Sequence, residues 1–249
     1  FYVVDEQFPY TGLFIDHHAD GKLKSEVSCK NGKLDGVCKK WHENGQLESE
    51  ETYKNNRLNG MLKQWYDNGQ LEIERSYKDA NLDGLTKYWR EDGTPRYEKS
   101  YKNGELEGLA KTWHENGLLS DEKRYKDDRL EGIAKNWYKS GKPMRETVFK
   151  DGMPGGIAKI WYENGQPKSE VALKNGKLDG LAKAWYKNGQ LRYEATFREE
   201  KLDGLVKSWR EDGQLKYEET WKDMDPRDSI SPNADSILEM LLYFEFRDR

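Results

Sequence analysis

Apolar and polar residues alternate in short runs through most of this chain, and from Gly12 to Lys222 none of the runs follows helical spacing. In one stretch, Leu181 to Tyr186 and Leu191 to Phe197 flank Asn188-Gly189. Asn-Gly or Asp-Gly between two alternating runs signals a β-hairpin, because both residues tolerate positive φ. The dipeptide returns as Asn44-Gly45, Asn68-Gly69, Asp92-Gly93, Asn116-Gly117, Asn164-Gly165 and Asp212-Gly213, with Ser140-Gly141 as the variant. A second turn, such as Lys174 to Gly180, closes each unit. No part of the repeat is long enough, or suitably spaced, for an amphipathic helix. Each unit reads as two antiparallel strands.

The units keep a fixed beat. Tryptophan occupies every twenty-fourth position: Trp41, Trp65, Trp89, Trp113, Trp137, Trp161, Trp185 and Trp209. Two glycine columns, Gly36 to Gly204 and Gly45 to Gly213, share that period, as do a lysine column from Lys39 and a glutamate column from Glu26. Such a period marks a stack of like supersecondary units, none able to bury its apolar face alone. The expected fold is all-β, an elongated single-sheet solenoid of about nine 24-residue hairpins, on the order of 85 Å long. The first unit, Gly12 to Lys30, has His17 where tryptophan belongs. Residues 1–11, including Phe1 to Tyr10, read as an N-terminal cap and residues 12–222 as the array. Residues 223–249 read as a linker and C-terminal cap, with a partner-binding helix as the alternative, where Ile237, Leu238, Leu241 and Leu242 form a helical stripe before Phe246. Asn233 or Asp235 is its N-cap candidate.

Two registers compete within a hairpin. A two-residue turn sets Lys39 opposite Glu50 but splits Trp41 and Leu47 between the faces. A three-residue loop with glycine in the αL position places Val37, Trp41, Leu47 and Tyr53 on one face. The second is preferred, because burying an aromatic and an aliphatic outweighs an exposed ion pair worth ~0–1 kcal/mol. Pro95, Pro143 and Pro167 replace the first leucine of the second strand, where a missing donor is tolerated. Met153-Pro154-Gly155-Gly156 replaces the usual second turn, which would introduce either a bend or a different turn.

Composition narrows the function. Hydrophobic and charged residues each make up 35% of the 249 residues, too polar for one thick core and suited to units that touch only their neighbours. Forty-two basic against 46 acidic residues, interspersed, give a net charge of −4, unlike the basic footprint of a nucleic-acid binder. No apolar run approaches the roughly 20 residues that span a membrane as a helix. The chain starts at Phe1, so a preceding segment such as a signal peptide is expected to be missing.

Catalysis would require a break in the repetition. His18, His42 and His114 share one column and read as outward-facing and isolated; His17, His18 and Asp20 match no metal-site spacing. No nucleophile elbow, phosphate loop or dinucleotide fingerprint is present. The expectation is a protein that is not an enzyme and needs no metal or cofactor. Cys29 and Cys38 flank one turn, consistent with a disulfide or with ordinary packing.

The lysine and glutamate columns read as structural, with stems over tryptophan and charges that neutralise one another. Selectivity then belongs to positions that vary between repeats. One column runs Lys40, Gln64, Tyr88, Thr112, Asn136, Ile160, Ala184, Ser208; another runs Ser49, Ile73, Tyr97, Asp121, Arg145, Ser169, Tyr193, Tyr217. Tyr88, Tyr97, Ile73, Ile160, Tyr193 and Tyr217 are the candidate partner-binding residues, taken as exposed anchors on a rigid sheet. The eight tryptophans are assigned a structural role.

The unit G-[LIVM]-x-K-x-W-x-x-[ND]-G-x-L-x-x-E-x-x-[YF]-K-[ND]-x-x-L-x-G resembles the MORN-repeat variant of bacterial proteins, and in particular the YwqK family of toxin–antitoxin antitoxins. The resemblance covers Gly12 to Lys222. It implies a β-hairpin solenoid that works by binding: an antitoxin or immunity protein that sequesters a cognate toxin. An envelope or surface protein binding host protein, lipid headgroups or glycans is the alternative. It further implies a bacterial source; the compartment is left open, with the periplasm or envelope slightly favoured over the cytoplasm.

Overall fold

In the computed structural model, residues 9–225 are described. The expected C-terminal stripe around Ile237 and most of the N-terminal cap lie outside them. Every element among the described residues is a strand or a turn. The chain divides into two compact units, one ending at Arg129 and one beginning at Leu130.

The first unit holds β1 (Gly12–His17), β2 (Leu23–Lys30), β3 (Lys33–Trp41), β4 (Leu47–Lys54), β5 (Arg57–Trp65), β6 (Leu71–Lys78), β7 (Asn81–Trp89), β8 (Pro95–Lys102), β9 (Glu105–Trp113) and β10 (Leu119–Lys126). A two-residue strand, β11 (Arg129–Leu130), lies at the junction. The second unit holds β12 (Gly132–Trp137), β13 (Pro143–Lys150), β14 (Met153–Trp161), β15 (Pro167–Lys174), β16 (Lys177–Trp185), β17 (Leu191–Arg198), β18 (Lys201–Trp209) and β19 (Leu215–Met224). Within each unit every strand pairs antiparallel with the next one in sequence.

The register contains parts of both alternatives. Lys39 faces Glu50 and Lys40 faces Ser49, yet Trp41 faces Leu47. Glu48 is the extra residue, and this bulge flips Leu47 back to the tryptophan face without disturbing the ion pair. The same step recurs at Trp65 with Leu71 and Trp89 with Pro95, so the prolines sit where the ladder is already interrupted. The expectation that Tyr53 shares the tryptophan face is corrected. Tyr53 faces Gly36 and lies, by alternation, with Cys38 and Glu51 on the other side.

The turns are also redistributed. Residues 42–45 form a turn closed by Gly45 N–H to the His42 carbonyl at 2.9 Å, and only Gly45 has positive φ (89°). Asn44 instead accepts from Gln46 N–H and donates to the Asp67 carbonyl one repeat on. It is the second turn that is a two-residue hairpin with both residues at positive φ, as in Asn31 (51°) with Gly32 (73°). Asp151-Gly152 makes the same turn before Met153, so no altered turn or bend follows from Met153-Pro154-Gly155-Gly156 there.

Successive repeats are stapled at both edges. At one edge, His18, His42, Tyr66, Arg90, Tyr138, Tyr162 and Tyr186 bond the carbonyl of the tryptophan 23 residues on. The expectation that His18 and His42 are isolated is therefore corrected: their imidazoles stand where phenols and a guanidinium do the same job. At the other edge, the second-turn amides bond back to the previous repeat, as Ala80 N–H does to the Leu58 carbonyl at 2.8 Å. Asp35, Asp83, Glu107 and Glu131 accept from the amide 20 residues ahead. Tyr10 and Thr11 supply the equivalent acceptors for the Asn31-Gly32 turn, so the start of the array is capped by the residues just before it.

The two faces are unequal. All eight tryptophans of the 24-residue column are half-buried. Beside them the column Val37, Met61, Leu85, Ile133, Ile157, Leu181, Leu205 is 36–48% exposed, which corrects its assignment to a buried stripe. Burial concentrates on the opposite face. In the second unit Ala158, Val171, Leu173, Leu178, Ala182, Ala195, Phe197, Leu202 and Val206 form a continuous core. In the first, the same columns carry Glu51, Arg75 and Lys99 beside tyrosines, and the buried residues are fewer.

Candidate binding face

The two variable columns lie side by side on the more buried face, because each residue of one is register partner to residues of the other. Ile73 faces Tyr88 across β6 and β7, and Tyr88 faces Tyr97 across β7 and β8. The tyrosine rings stack with centroids 4.2 Å apart and planes 25° apart. Both rings are half-buried.

Two cations fold over this pair. The Arg75 guanidinium carbon is 5.0 Å from the Tyr88 centroid, and Lys99 Nζ is 5.3 Å from that of Tyr97. Such contacts contribute about 0.5–1 kcal/mol each at partly exposed sites. Arg75 also reaches the Tyr77 hydroxyl at 3.5 Å. Thr86 lies between the two cations in the ladder, facing Arg75 on one side and Lys99 on the other. It is 3% exposed, and its hydroxyl has no partner. Burial raises the Tyr97 and Tyr101 phenols above their ordinary pKa of 10.0, with nearby Arg75 pulling the other way.

The other candidates stand elsewhere. Tyr193 faces Ser208, which faces Tyr217, in the second unit. Tyr193 is only 5% exposed, and Tyr217 packs on the core while its hydroxyl is engaged by Glu219 and Trp221. Ile160 also packs against that core, and Ile73 is 8% exposed. The expectation of exposed anchors is thus corrected for Ile73 and Tyr193. On a strand, a column free of repeat constraints can face inward as easily as outward. Among the candidates, the Tyr88–Tyr97 pair joins half-buried ring surface to two adjacent cations.

The framework charges are spent on each other. Lys39–Glu50, Lys63–Glu74, Lys87–Glu98 and Lys111–Glu122 pair at 3.3–3.7 Å in the first unit. Lys135–Glu146, Lys159–Glu170, Lys183–Glu194 and Lys207–Glu218 pair at 3.0–3.8 Å in the second. Asp20 is likewise engaged by Lys22 at 2.8 Å. Among the described residues no group of three His, Cys, Asp or Glu is placed to hold a metal ion. Cys29 and Cys38 are free thiols, both pushed up in pKa chiefly by burial. An open depression lined by Asn68, Arg90, Glu91 and Asp92 offers no vacant cation, since Arg90 is bonded to the Pro95 and Trp113 carbonyls.

Sequence reasoning missed two groups of residues. Arg75 and Lys99 were overlooked because their column also holds Glu51, Thr147 and Val171; its one signal was the charge beside the tyrosines. The exposed aliphatic column reads as core in the sequence, because invariance between repeats is also the mark of packing.

A family model for the MORN repeat variant matches residues 34–55, 58–79, 82–103, 130–151, 154–175, 178–199 and 202–223, more than half of the chain. The match is to the repeat itself. Compared with curated proteins, the chain finds no match.

Proposed function

The chain belongs to the MORN repeat variant family, and on that premise we propose that it is a non-enzymatic protein-binding scaffold. Its most specific form is a bacterial antitoxin or immunity protein that sequesters and neutralises a cognate toxin. The observation that carries the reading is the Tyr88–Tyr97 stack, half-buried on a face whose residues change from repeat to repeat. Stacked tyrosines offer large contact area with few rotors to freeze, and a strand pair holds them with little ordering cost. The framework lysine and glutamate columns are committed to ion pairs and the edge column to inter-repeat bonds, which favours the variable columns as the source of selectivity.

The test is capture from native extract on the immobilised chain, followed by mass spectrometry, with Tyr88→Ser plus Tyr97→Ser alongside. A stoichiometric protein, encoded beside this gene and lost with the double variant, is the expected result. Recovery of glycans or lipid with no protein would overturn it in favour of a surface role.

A further inference from the structure

Charge on the face that carries the tyrosine stack is unbalanced. Across β6, β7 and β8 the ladder places Arg75, Thr86 and Lys99 in one row, directly beside the row of Ile73, Tyr88 and Tyr97. Neither Arg75 nor Lys99 has a carboxylate within ion-pair distance among the described residues; each rests on an aromatic ring. This departs from the framework lysine column. Lysines of the framework column are paired with glutamate in every repeat from Lys39 to Lys207. The net charge of the chain is −4, so two adjacent unpaired cations are a local reversal of its character. The acids bounding the patch are already engaged: Glu51 by the Tyr53 hydroxyl, and Asp121 by Thr112, Ser120 and Lys123.

We propose that Arg75 and Lys99 receive the carboxylates of an acidic segment of the protein partner, with the Tyr88–Tyr97 stack as the floor for its apolar side chains. The proposal rests on the protein-binding reading and names its chemistry. A guanidinium stacked on a ring keeps its edge donors free for a carboxylate, and partial burial strengthens that bond over one in open water. The cations stand two strands apart, about 10 Å, the reach of roughly three extended residues. The orphan hydroxyl of Thr86 lies between them.

The probes are two fluorescein-labelled peptides, one alternating glutamate with leucine and its counterpart with glutamine for glutamate, read by anisotropy at low and high salt. Wild type is expected to bind the glutamate peptide at least about tenfold more tightly than the glutamine peptide, with salt narrowing the gap. Arg75→Gln plus Lys99→Gln should erase that preference. Lys39→Gln, which removes a paired lysine, should retain it. A melting curve accompanies each variant, and Lys99→Gln alone carries the test if the double variant melts early. Equal affinity of wild type for both peptides overturns the acidic partner while leaving a peptide-binding face standing. Binding of neither peptide overturns the proposal, and the capture experiment then judges the broader reading. Loss of preference with Lys39→Gln also overturns it, as does binding of phosphatidylserine vesicles, but of neither peptide, through Arg75 and Lys99.

Discussion

The hydroxyl of Tyr66 donates to the carbonyl oxygen of Trp89, 23 residues on and one repeat away, at 2.9 Å. The phenol is half-buried, and burial raises its pKa. Tyr66→Phe keeps the ring and deletes the bond. The expected cost is about 1 kcal/mol in urea unfolding, the usual net contribution of a partly buried hydrogen bond. An unchanged midpoint would mean that water serves the Trp89 carbonyl equally well, and that the edge staple adds no stability.

Turn chemistry gives a pair of opposite effects. Ala80 holds φ at 70° in the second turn, where other repeats place Gly32, Gly104 or Gly176. A left-handed alanine costs roughly 1–2 kcal/mol, partly offset by the entropy that glycine loses on folding. Ala80→Gly should therefore raise stability by up to about 1 kcal/mol. Gly180 has φ +118°, and an added Cβ would stand 2.8 Å from the Ala172 Cβ. Gly180→Ala combines backbone strain with overpacking against a side chain that has no rotamer to yield, and should cost at least about 2 kcal/mol. Thermal melts of both variants give the sign directly, and the same sign for both would remove the argument.

The alternating runs and the tryptophan period disclosed the hairpins and their strand order, whereas the pairing of Lys39 with Glu50 belongs to the register that the burial argument disfavours. They did not disclose the bulge at Glu48. A bulged exposed glutamate has the same polarity as a paired one, so the pattern carries no trace of it, yet this residue decides which face Leu47 joins. Tyr53 was misplaced for the same reason. His42 read as isolated because its acceptor is a backbone carbonyl, invisible in any column of side chains. For the candidate site, the columns identified Tyr88 and Tyr97 but not their direction. Tyr193, in the same column as Tyr97, is buried because its neighbours are Ala184, Ala195 and Ser208 rather than Lys99 and Thr112. How deeply a position in a variable column is buried depends on the side chains its own repeat packs around it, and that is not a property of the column.

Alkaline pH should act through the buried phenols. Tyr53 is held above its ordinary 10.0, first by burial and then by its hydrogen bond to Glu51. Tyr66, Tyr97, Tyr101 and Tyr138 are shifted the same way by burial. Below pH 10 both folded and unfolded chains keep these protons, and stability is independent of them. Above it the unfolded chain ionises first, so it binds fewer protons than the folded one and stability falls as pH rises. Denaturation midpoints at about pH 9 and about pH 11 should show the decline, and Tyr53→Phe should make it shallower. An equal slope in that variant would assign the loss to the other tyrosines.

The two tyrosine pairs should separate binding from stability. Tyr193 is 5% exposed beside the core of Ala195, Phe197 and Val206, so Tyr193→Ser empties a packed volume and leaves a hydroxyl in it. Loss of a buried aromatic costs roughly 3–5 kcal/mol, and the second unit should melt at markedly lower temperature. Tyr88 and Tyr97 pack on each other and lie under the charged heads of Arg75 and Lys99, and of Ile73, Tyr88 and Tyr97 only Ile73 is buried. Replacing both with serine removes surface that is still half in water, so the melting temperature should fall far less. The dissociation constant of the captured partner should nevertheless rise by tenfold or more, about 1.4 kcal/mol for each factor of ten. Calorimetry for stability and surface plasmon resonance for binding give two numbers per variant. If Tyr88→Ser plus Tyr97→Ser unfolds the first unit as readily as Tyr193→Ser unfolds the second, the stack is core. The exposed column of Val37, Met61 and Leu85 on the opposite face then becomes the surface to mutate next.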